Sequence, residues 1–151
     1  MERRRSAPAA FLFALAVFAT ACATGPSVMQ LPADTRIVPP APSIPEELAR
    51  FSGKWSGSWY GARTSAFMGD QILVVEKVNS STATVVSAYS GSAQYQVPPR
   101  TLRIEAPFND GRLVISGATG TATYTLEDAD TLSAVLKSAQ GELRGTLRRM
   151  R

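Results

Sequence analysis

The feature that most constrains this chain is a succession of short segments in which apolar and polar residues alternate, beginning at Lys54. A period of two is typical of strands with one buried face, and turn residues separate the segments at roughly ten-residue intervals. The predicted strands are 54–62, 71–78, 82–89, 94–97, 101–108, 112–117, 121–126, 131–137 and 142–149. Strands joined by such short turns are antiparallel. The pattern therefore predicts an all-β fold with eight or nine antiparallel strands.

Closure of this meander into a small up-and-down β-barrel would remove its exposed edges, so we expect a barrel rather than a two-sheet sandwich. Eight strands enclose an interior just wide enough for packed side chains or for one small ligand. The sequence Asn109-Asp110-Gly111 predicts a tight hairpin, because Asp-Gly accepts a positive φ. A chain of 151 residues suffices for one such domain, which we assign to residues 46–151.

Composition narrows the chemistry that this domain can perform. The chain contains no His and one Cys. It therefore lacks the usual general base of Ser and Cys hydrolases, the commonest zinc ligand and any intramolecular disulfide. We recognise no spaced set of nucleophile and base, so we expect a non-enzymatic protein with no catalytic residues, no metal and no cofactor.

The N-terminus has the three parts of a secretory signal. Residues 2–5 are Glu-Arg-Arg-Arg, residues 11–19 are apolar, and small residues follow. The apolar run is too short for a transmembrane helix, which needs about 20 residues. We assign residues 1–21 to a signal peptide.

The sequence Ala19-Thr20-Ala21-Cys22 resembles the lipobox of bacterial lipoproteins. In that family the Cys is acylated, for example with palmitate, and becomes the mature N-terminus. The resemblance implies a lipid anchor at Cys22 and a membrane partner in the cell envelope. Ala23 resembles the residue that directs such proteins to the outer membrane, facing the periplasm or the cell surface. The alternative is ordinary cleavage after Ala21, which leaves Cys22 as a free thiol.

Residues 22–45 are interpreted as the lipidated Cys and a proline-rich linker, because six of the ten prolines lie between Ala23 and Pro45. Proline fixes φ and removes a donor, so an extended spacer that holds the domain off the membrane is expected. Ser43 is predicted to cap one or two helical turns over 44–50. Leu48 and Phe51 should then face the domain and plug or lead into it.

The domain opens with Gly53-Lys54-Trp55, which resembles the Gly-x-Trp opening of lipocalins and other calycins. The resemblance implies that Trp55 closes one end of the barrel and that Gly53 is a structural residue. It also implies that an Arg of the last strand packs over the Trp, and Arg148 or Arg144 would fill that place. A barrel of this class binds a small ligand.

Trp55 and Trp59 lie four residues apart on one face of the first predicted strand. With Tyr60 they form the candidate ligand-binding set, a stacking platform for an apolar or saccharide ligand. The alternative interpretation places Trp55 in the core, with Trp59 and Tyr60 in the barrel wall. The expected partners are the membrane, a small ligand or an envelope component.

The same Gly-x-Trp opening, behind a signal peptide, is similar to that of bacterial protease-inhibitor lipoproteins. This second resemblance implies that the segment 44–52 projects from the barrel mouth as an inhibitory arm. The alternative function is therefore a protein-binding or protease-inhibitor module of the cell envelope.

The remaining charged groups suggest no catalytic site. Glu127-Asp128-Ala129-Asp130 is interpreted as a solvated hairpin turn, with calcium binding as the alternative. Glu76 and Glu105 occupy outward positions. The C-terminal arginines could contact anionic headgroups, or could discourage edge pairing as solvated residues of the last strand; they are Arg144, Arg148, Arg149 and Arg151. Three of the 16 basic residues and one of the 12 acidic residues lie in the signal peptide, so the net charge falls from +4 to +2 when that segment is removed. An exported chain with so little positive charge is not expected to bind nucleic acid.

Overall fold

The structure is a computed structural model that describes residues 29–151. The signal peptide, the lipobox and Cys22 lie outside the described residues. One short helix and eight strands follow in chain order: α1 (Glu46–Ala49), β1 (Gly53–Gly61), β2 (Phe67–Val78), β3 (Thr82–Tyr89), β4 (Arg100–Asn109), β5 (Arg112–Gly117), β6 (Gly120–Leu126), β7 (Thr131–Ser138) and β8 (Gly141–Arg149).

The eight strands form a closed antiparallel barrel in which each strand pairs with its sequence neighbours and β8 pairs with β1. This confirms the predicted up-and-down architecture. The predicted strand 94–97 is wrong. Those residues form a turn held by a single bridge between Ser92 and Val97, because Pro98 and Pro99 follow at once and cannot donate to a ladder.

Inward-pointing side chains fill the barrel. Trp55 and Leu73 face each other across β1 and β2 and are both fully buried. Aromatic contacts join distant parts of the core, since Phe51 lies 5.3 Å from Phe108 between ring centroids. The other large, fully buried core side chains come from strands β2, β3 and β5–β8: Val75, Val85, Leu113, Tyr124, Leu132 and Leu147. These buried side chains occupy the interior of the barrel.

The two ends of the barrel differ. At the closed end, α1 packs across the opening, and Leu48 and Phe51 are buried in the core, as predicted. The predicted Ser43 cap is wrong: Pro45 is the N-cap residue, and α1 has no side-chain cap hydrogen bond. The other end, which we call the mouth, is formed by the β1–β2, β3–β4, β5–β6 and β7–β8 connections.

Residues 30–38, which we call the strap, lie against the outer wall of the barrel. The Oγ1 of Thr101 donates to the Gln30 carbonyl at 3.0 Å, near the mouth. Further along, the Val38 N–H donates to the Glu76 carbonyl at 2.7 Å. That carbonyl is available because the β2–β3 register shifts beside Glu76. The spacer expected over 22–45 therefore packs against the barrel along the strap, because a bulge offers its backbone a partner.

Two outward-facing valines lie beneath this part of the chain. Val74 and Val86 pair with each other across β2 and β3, on the face opposite to the core residue Leu73. Their exposed fractions are nevertheless only 1% and 0%. Strands with both faces covered carry consecutive apolar residues, and the strap explains this coverage.

Candidate functional site

A buried hydrogen-bond network crosses the barrel below the mouth. The Gln71 side chain accepts from Trp59 Nε1 at 2.9 Å and donates to the hydroxyl oxygens of Ser87 at 2.8 Å and Tyr124 at 2.9 Å. Trp59 also packs edge-on against Tyr124, with ring centroids 6.2 Å apart. Each polar atom of the Gln71 amide thus has a partner, and the network closes the interior toward the mouth.

Burial in this network changes the acidity of Tyr124. Loss of water around the ring disfavours the phenolate and raises the pKa of Tyr124 to about 12. The hydrogen bond from Gln71 opposes this shift without cancelling it. The phenol therefore remains a neutral donor and acceptor at physiological pH.

Trp55 lies at the closed end and is held by an arginine. Its Nε1 donates to the Phe51 carbonyl at 2.9 Å, and the guanidinium carbon of Arg149 lies 4.0 Å from its ring centroid. Arg149 also donates to the backbone carbonyls of Arg50 at 2.7 Å and Ser52 at 2.8 Å. This guanidinium therefore ties the chain that enters β1 to the chain that leaves β8.

The prediction that Arg148 or Arg144 packs over Trp55 is wrong. Trp55 pairs in register with Arg149, and directly opposed residues share one face of the sheet. Arg148 and Arg144 have the opposite parity and lie on the outer wall. Arg148 hydrogen-bonds the Thr131 hydroxyl, and Arg144 pairs with Glu142 at 3.0 Å.

Gly53, the other predicted structural residue, lies where the chain enters β1. Its φ of +134° is one that L side chains rarely adopt, and a Cβ there would come within 2.5 Å of Arg149 Nη1. The positive φ is therefore the main reason for glycine at this position, and the close approach of the arginine adds to it.

The predicted ligand-binding set is not brought together by the fold. Trp55 is fully buried at the closed end, and Trp59 is 5% exposed with its N–H bonded to Gln71. Tyr60 points the other way, out of the wall, because neighbouring residues of a strand face opposite sides. There it contacts Phe67, with ring centroids 5.9 Å apart. Neither Trp presents a free face to a ligand, as the core interpretation required.

The strand pair with the fewest paired residues in the barrel is β4 with β5, and we call the gap between these strands the seam. Only Phe108–Leu113 and Asn109–Arg112 pair there. They flank the predicted Asp110-Gly111 turn, whose φ values of 49° and 72° fit a tight hairpin. No strand among residues 29–151 covers the rest of this edge of β4.

The seam exposes both backbone and apolar groups. Phe108 donates its N–H to Ser81, on the β3 side. Alternation along the strand then directs the backbone N–H groups of Thr101, Arg103 and Glu105 toward the seam. Leu102 has the parity of the core residue Ala106, yet it is 48% exposed. The sequence held a signal for this feature, since β5 is too short to pair along all of β4.

An ion network fixes the strap outside the seam. Arg103 forms a bidentate pair with Asp34 at 2.8 and 3.0 Å and also donates to both Glu76 oxygens. The Arg36 N–H donates to Glu76 Oε1 at 3.1 Å. Hydrogen bonding from Arg103 lowers the pKa of Asp34 below its ordinary value. Sequence reasoning placed Glu76 correctly on the outer wall but missed that the strap buries it.

The acidic segment 127–130 is the β6–β7 turn, as the hairpin interpretation predicts. Asp128 accepts from the Asp130 N–H at 2.8 Å and from the Thr131 hydroxyl at 3.0 Å, and these bonds lower its pKa. Glu105 lies on the outer wall and accepts from Thr82 at 2.8 Å. Within residues 29–151, no group of three or more His, Cys, Asp or Glu side chains is arranged to hold a metal ion.

The C-terminal arginines do not form one cluster. Arg144 lies toward the mouth, Arg148 lies on the outer wall and Arg149 caps the closed end. Across the described part of the chain, no helix is long and apolar enough to cross a membrane.

Comparisons with known proteins support the architecture. No protein-family model matches the chain. No curated protein matches it either. Among solved structures, it is similar to a redesigned β-barrel, with 13% sequence identity and a TM-score of 0.55. The match covers 70% of this chain and 96% of that chain. At this identity the likeness shows the fold alone, which is a small antiparallel β-barrel.

Proposed function

We propose that this protein is an exported lipoprotein, anchored through Cys22, whose barrel is a non-catalytic module that binds another component of the cell envelope at its outer surface. The basic, apolar and small-residue order of residues 2–21, ending at the chain's one Cys, supports the anchor. Two acyl chains at such a Cys suffice for stable membrane attachment.

The observation that carries the binding proposal is the contrast between a filled interior and an open seam. The interior is occupied by Trp55, Trp59, Tyr124 and the Gln71 amide, which leave no lining free for an apolar or saccharide ligand. The seam instead offers backbone donors beside the exposed Leu102. Binding at the outer wall therefore fits this fold better than carriage of a small molecule inside it.

The chemistry of the seam favours an extended protein segment as the bound component. A free strand edge binds another strand through backbone hydrogen bonds, while alternate side chains give specificity. Leu102 and Ile104 would receive the apolar side chains of that segment. Pro107, within the same edge, has no N–H and restricts the pairing to residues nearer the mouth.

The alternative function, a protease inhibitor, needs a projecting arm, and the segment expected to form that arm does not project. The segment 44–52 was expected to project from the mouth, but Leu48 and Phe51 lie buried at the closed end. Withdrawing them would expose the core, so this segment is poorly suited to enter a protease cleft.

The anchor is tested by mass spectrometry and membrane fractionation of the expressed chain. We expect the mature protein to begin at Cys22, to carry acyl mass and to sediment with membranes. Cys22→Ser should remove the acyl mass and prevent processing at that residue. A mature N-terminus at Cys22 without acyl mass would reject the lipoprotein assignment.

Binding at the seam is tested by site-specific photo-cross-linking in intact cells. A photoreactive residue at Leu102 should capture a defined envelope protein. The matched control is Lys77, an exposed residue near the end of β2 and away from the seam between β4 and β5. The partner, once purified, should bind the wild-type chain and lose at least tenfold in affinity for Leu102→Asp. Equal capture from both positions would contradict binding at the seam.

A further inference from the structure

The strap determines which end of the barrel lies nearest the proposed anchor, so this inference rests on acylation of Cys22. The strap begins at Gln30, whose carbonyl accepts from Thr101 at 3.0 Å. Thr101 is the second residue of β4, which starts at the mouth. Gln30 lies eight positions after Cys22 in the sequence, a reach of at most about 28 Å. The anchor therefore attaches on the mouth side and keeps the mouth close to the bilayer.

The mouth also carries the exposed aromatic side chains. Tyr60, Phe67 and Tyr95 are 45%, 49% and 41% exposed, and no other aromatic residue in the described range is exposed to this degree. Tyr60 and Phe67 lie where β1 ends and β2 begins, and Tyr95 lies in the β3–β4 connection. Aromatic side chains of this kind are enriched at the interface between headgroups and acyl chains.

Charge does not distinguish the two ends. The mouth connections and adjoining strand ends contain three basic residues, Arg63, Arg100 and Lys137, against one acidic residue, Glu142. The closed end contains six acidic residues, Glu46, Glu47, Asp110, Glu127, Asp128 and Asp130, against seven basic residues, Arg50, Lys54, Lys77, Arg112, Arg148, Arg149 and Arg151. Both ends therefore carry a small positive excess, and an anionic membrane surface would not select between them.

We propose that the mouth of the barrel docks on a lipid surface, with Tyr60, Phe67 and Tyr95 at headgroup depth and the closed end directed away from the membrane. Anchor position and aromatic exposure select the same end. The acyl chains supply attachment, and the mouth supplies orientation. The seam then stands on a side wall, where it is open to a partner.

The test places environment-sensitive fluorophores on the full, acylated chain in vesicles of phosphatidylethanolamine with phosphatidylglycerol. Gln94→Cys puts the reporter beside Tyr95 without removing an aromatic residue. Ser80→Cys is the matched control, an exposed position in the β2–β3 turn of the closed end. Acylation consumes the thiol of Cys22, so each variant has one reactive thiol. The unsubstituted chain checks this, since it should take up no label.

We expect the reporter at position 94 to shift to shorter wavelength and to be quenched by lipids that carry a spin label near the headgroup. The reporter at position 80 should keep its aqueous emission. Replacing the three mouth aromatics together with Ser should abolish the shift at position 94 while the protein still floats with the vesicles. These side chains are half-exposed, so near-native tryptophan emission should verify that this variant is folded.

Each other result overturns the proposal in a distinguishable way. If both reporters keep aqueous emission while the protein floats, the anchor stands and docking of the mouth is wrong. If the reporter at position 80 is the one quenched, the closed end docks instead. If position 94 is protected only in native membranes and not in protein-free vesicles, the mouth binds a protein. Failure to float, together with labelling of the unsubstituted chain, would refute the lipid anchor itself.

Discussion

Replacement of Gln71 by Leu tests whether the buried network holds the barrel together below the mouth. The change keeps the side-chain volume close to native, so it isolates the hydrogen bonds from cavity formation. It leaves Trp59 Nε1 and the Tyr124 hydroxyl, both buried, without their protein partner. An unsatisfied buried polar group costs about 1–3 kcal/mol, so we expect a loss of roughly 3 kcal/mol in the free energy of unfolding.

Tyr124→Phe is the second substitution, and together with Gln71→Leu it forms a double-mutant cycle. It removes the hydroxyl but leaves Gln71 bonded to Trp59 and Ser87, so its cost should be about 1 kcal/mol. In the double variant the hydroxyl stranded by Gln71→Leu no longer exists. The combined cost should therefore fall short of the sum of the single costs by about 1–2 kcal/mol.

Urea unfolding followed by tryptophan fluorescence measures these values, because both Trp residues lie in the core. With an m-value of about 1.5 kcal/mol/M, the midpoint of Gln71→Leu should fall by roughly 2 M. Ser80→Ala, at an exposed turn, is the control and should leave the midpoint unchanged. Additive single costs, or a midpoint shift for Gln71→Leu near zero, would refute the account of the network.

Three further outcomes are expected. Between about pH 10 and pH 12, Tyr124 ionises in the unfolded chain but stays neutral in the folded chain. The free energy of unfolding should therefore fall across that window by about 2–3 kcal/mol, as measured by urea unfolding at each pH, and it should fall less in Tyr124→Phe. Arg103→Met should release the strap and accelerate trypsin cleavage after Arg36 several-fold, as followed by mass spectrometry. An unchanged cleavage rate would contradict the role of the Arg103 ion pairs in holding the strap. Gly57→Ala should cost at least about 3 kcal/mol or prevent folding, because its Cβ would lie 2.0 Å from a β8 carbonyl, whereas Gly117→Ala, in open space, should unfold within about 1 kcal/mol of wild type.

The barrel could be predicted because its strands alternate, and alternation needs no knowledge of distant contacts. Leu132 and Leu147 lie in the core for this reason. The same rule, applied one step further, would have identified Arg149. It shares the parity of Leu147 along β8, whereas Arg148 does not. The error came from treating the arginines of the last strand as one polar face.

The strap could not be predicted from its own residues. Proline-rich segments have no period, so nothing in 30–38 indicates which surface it contacts. The available signal lay in β2 and β3, where Val74 and Val75 are consecutive, as are Val85 and Val86. A strand with one solvated face has no use for such pairs, so they predict a cover without identifying it.

The filled interior could not be predicted from the sequence. Period two predicts which residues point inward but not whether they meet. Whether Trp59 finds a buried amide or an open cavity depends on the register of β1 against β2, which sets Gln71 within reach. That register is a property of the closed barrel and is not encoded in either strand alone.

The path of the strap would give the proposed lipid anchor two lengths. The strap runs from the mouth toward the closed end, so tension from a membrane-bound N-terminus would break its contacts in order, beginning with the hydrogen bond at Gln30. The Arg103 pair with Asp34 would yield before α1 is disturbed. Release of the chain as far as Pro45 would add about 50 Å to the reach of the anchor while the barrel stays intact. With the proposed anchor, the strap would act as a reserve of chain length, folded against the barrel while the barrel rests at the membrane and extended when the barrel is drawn away.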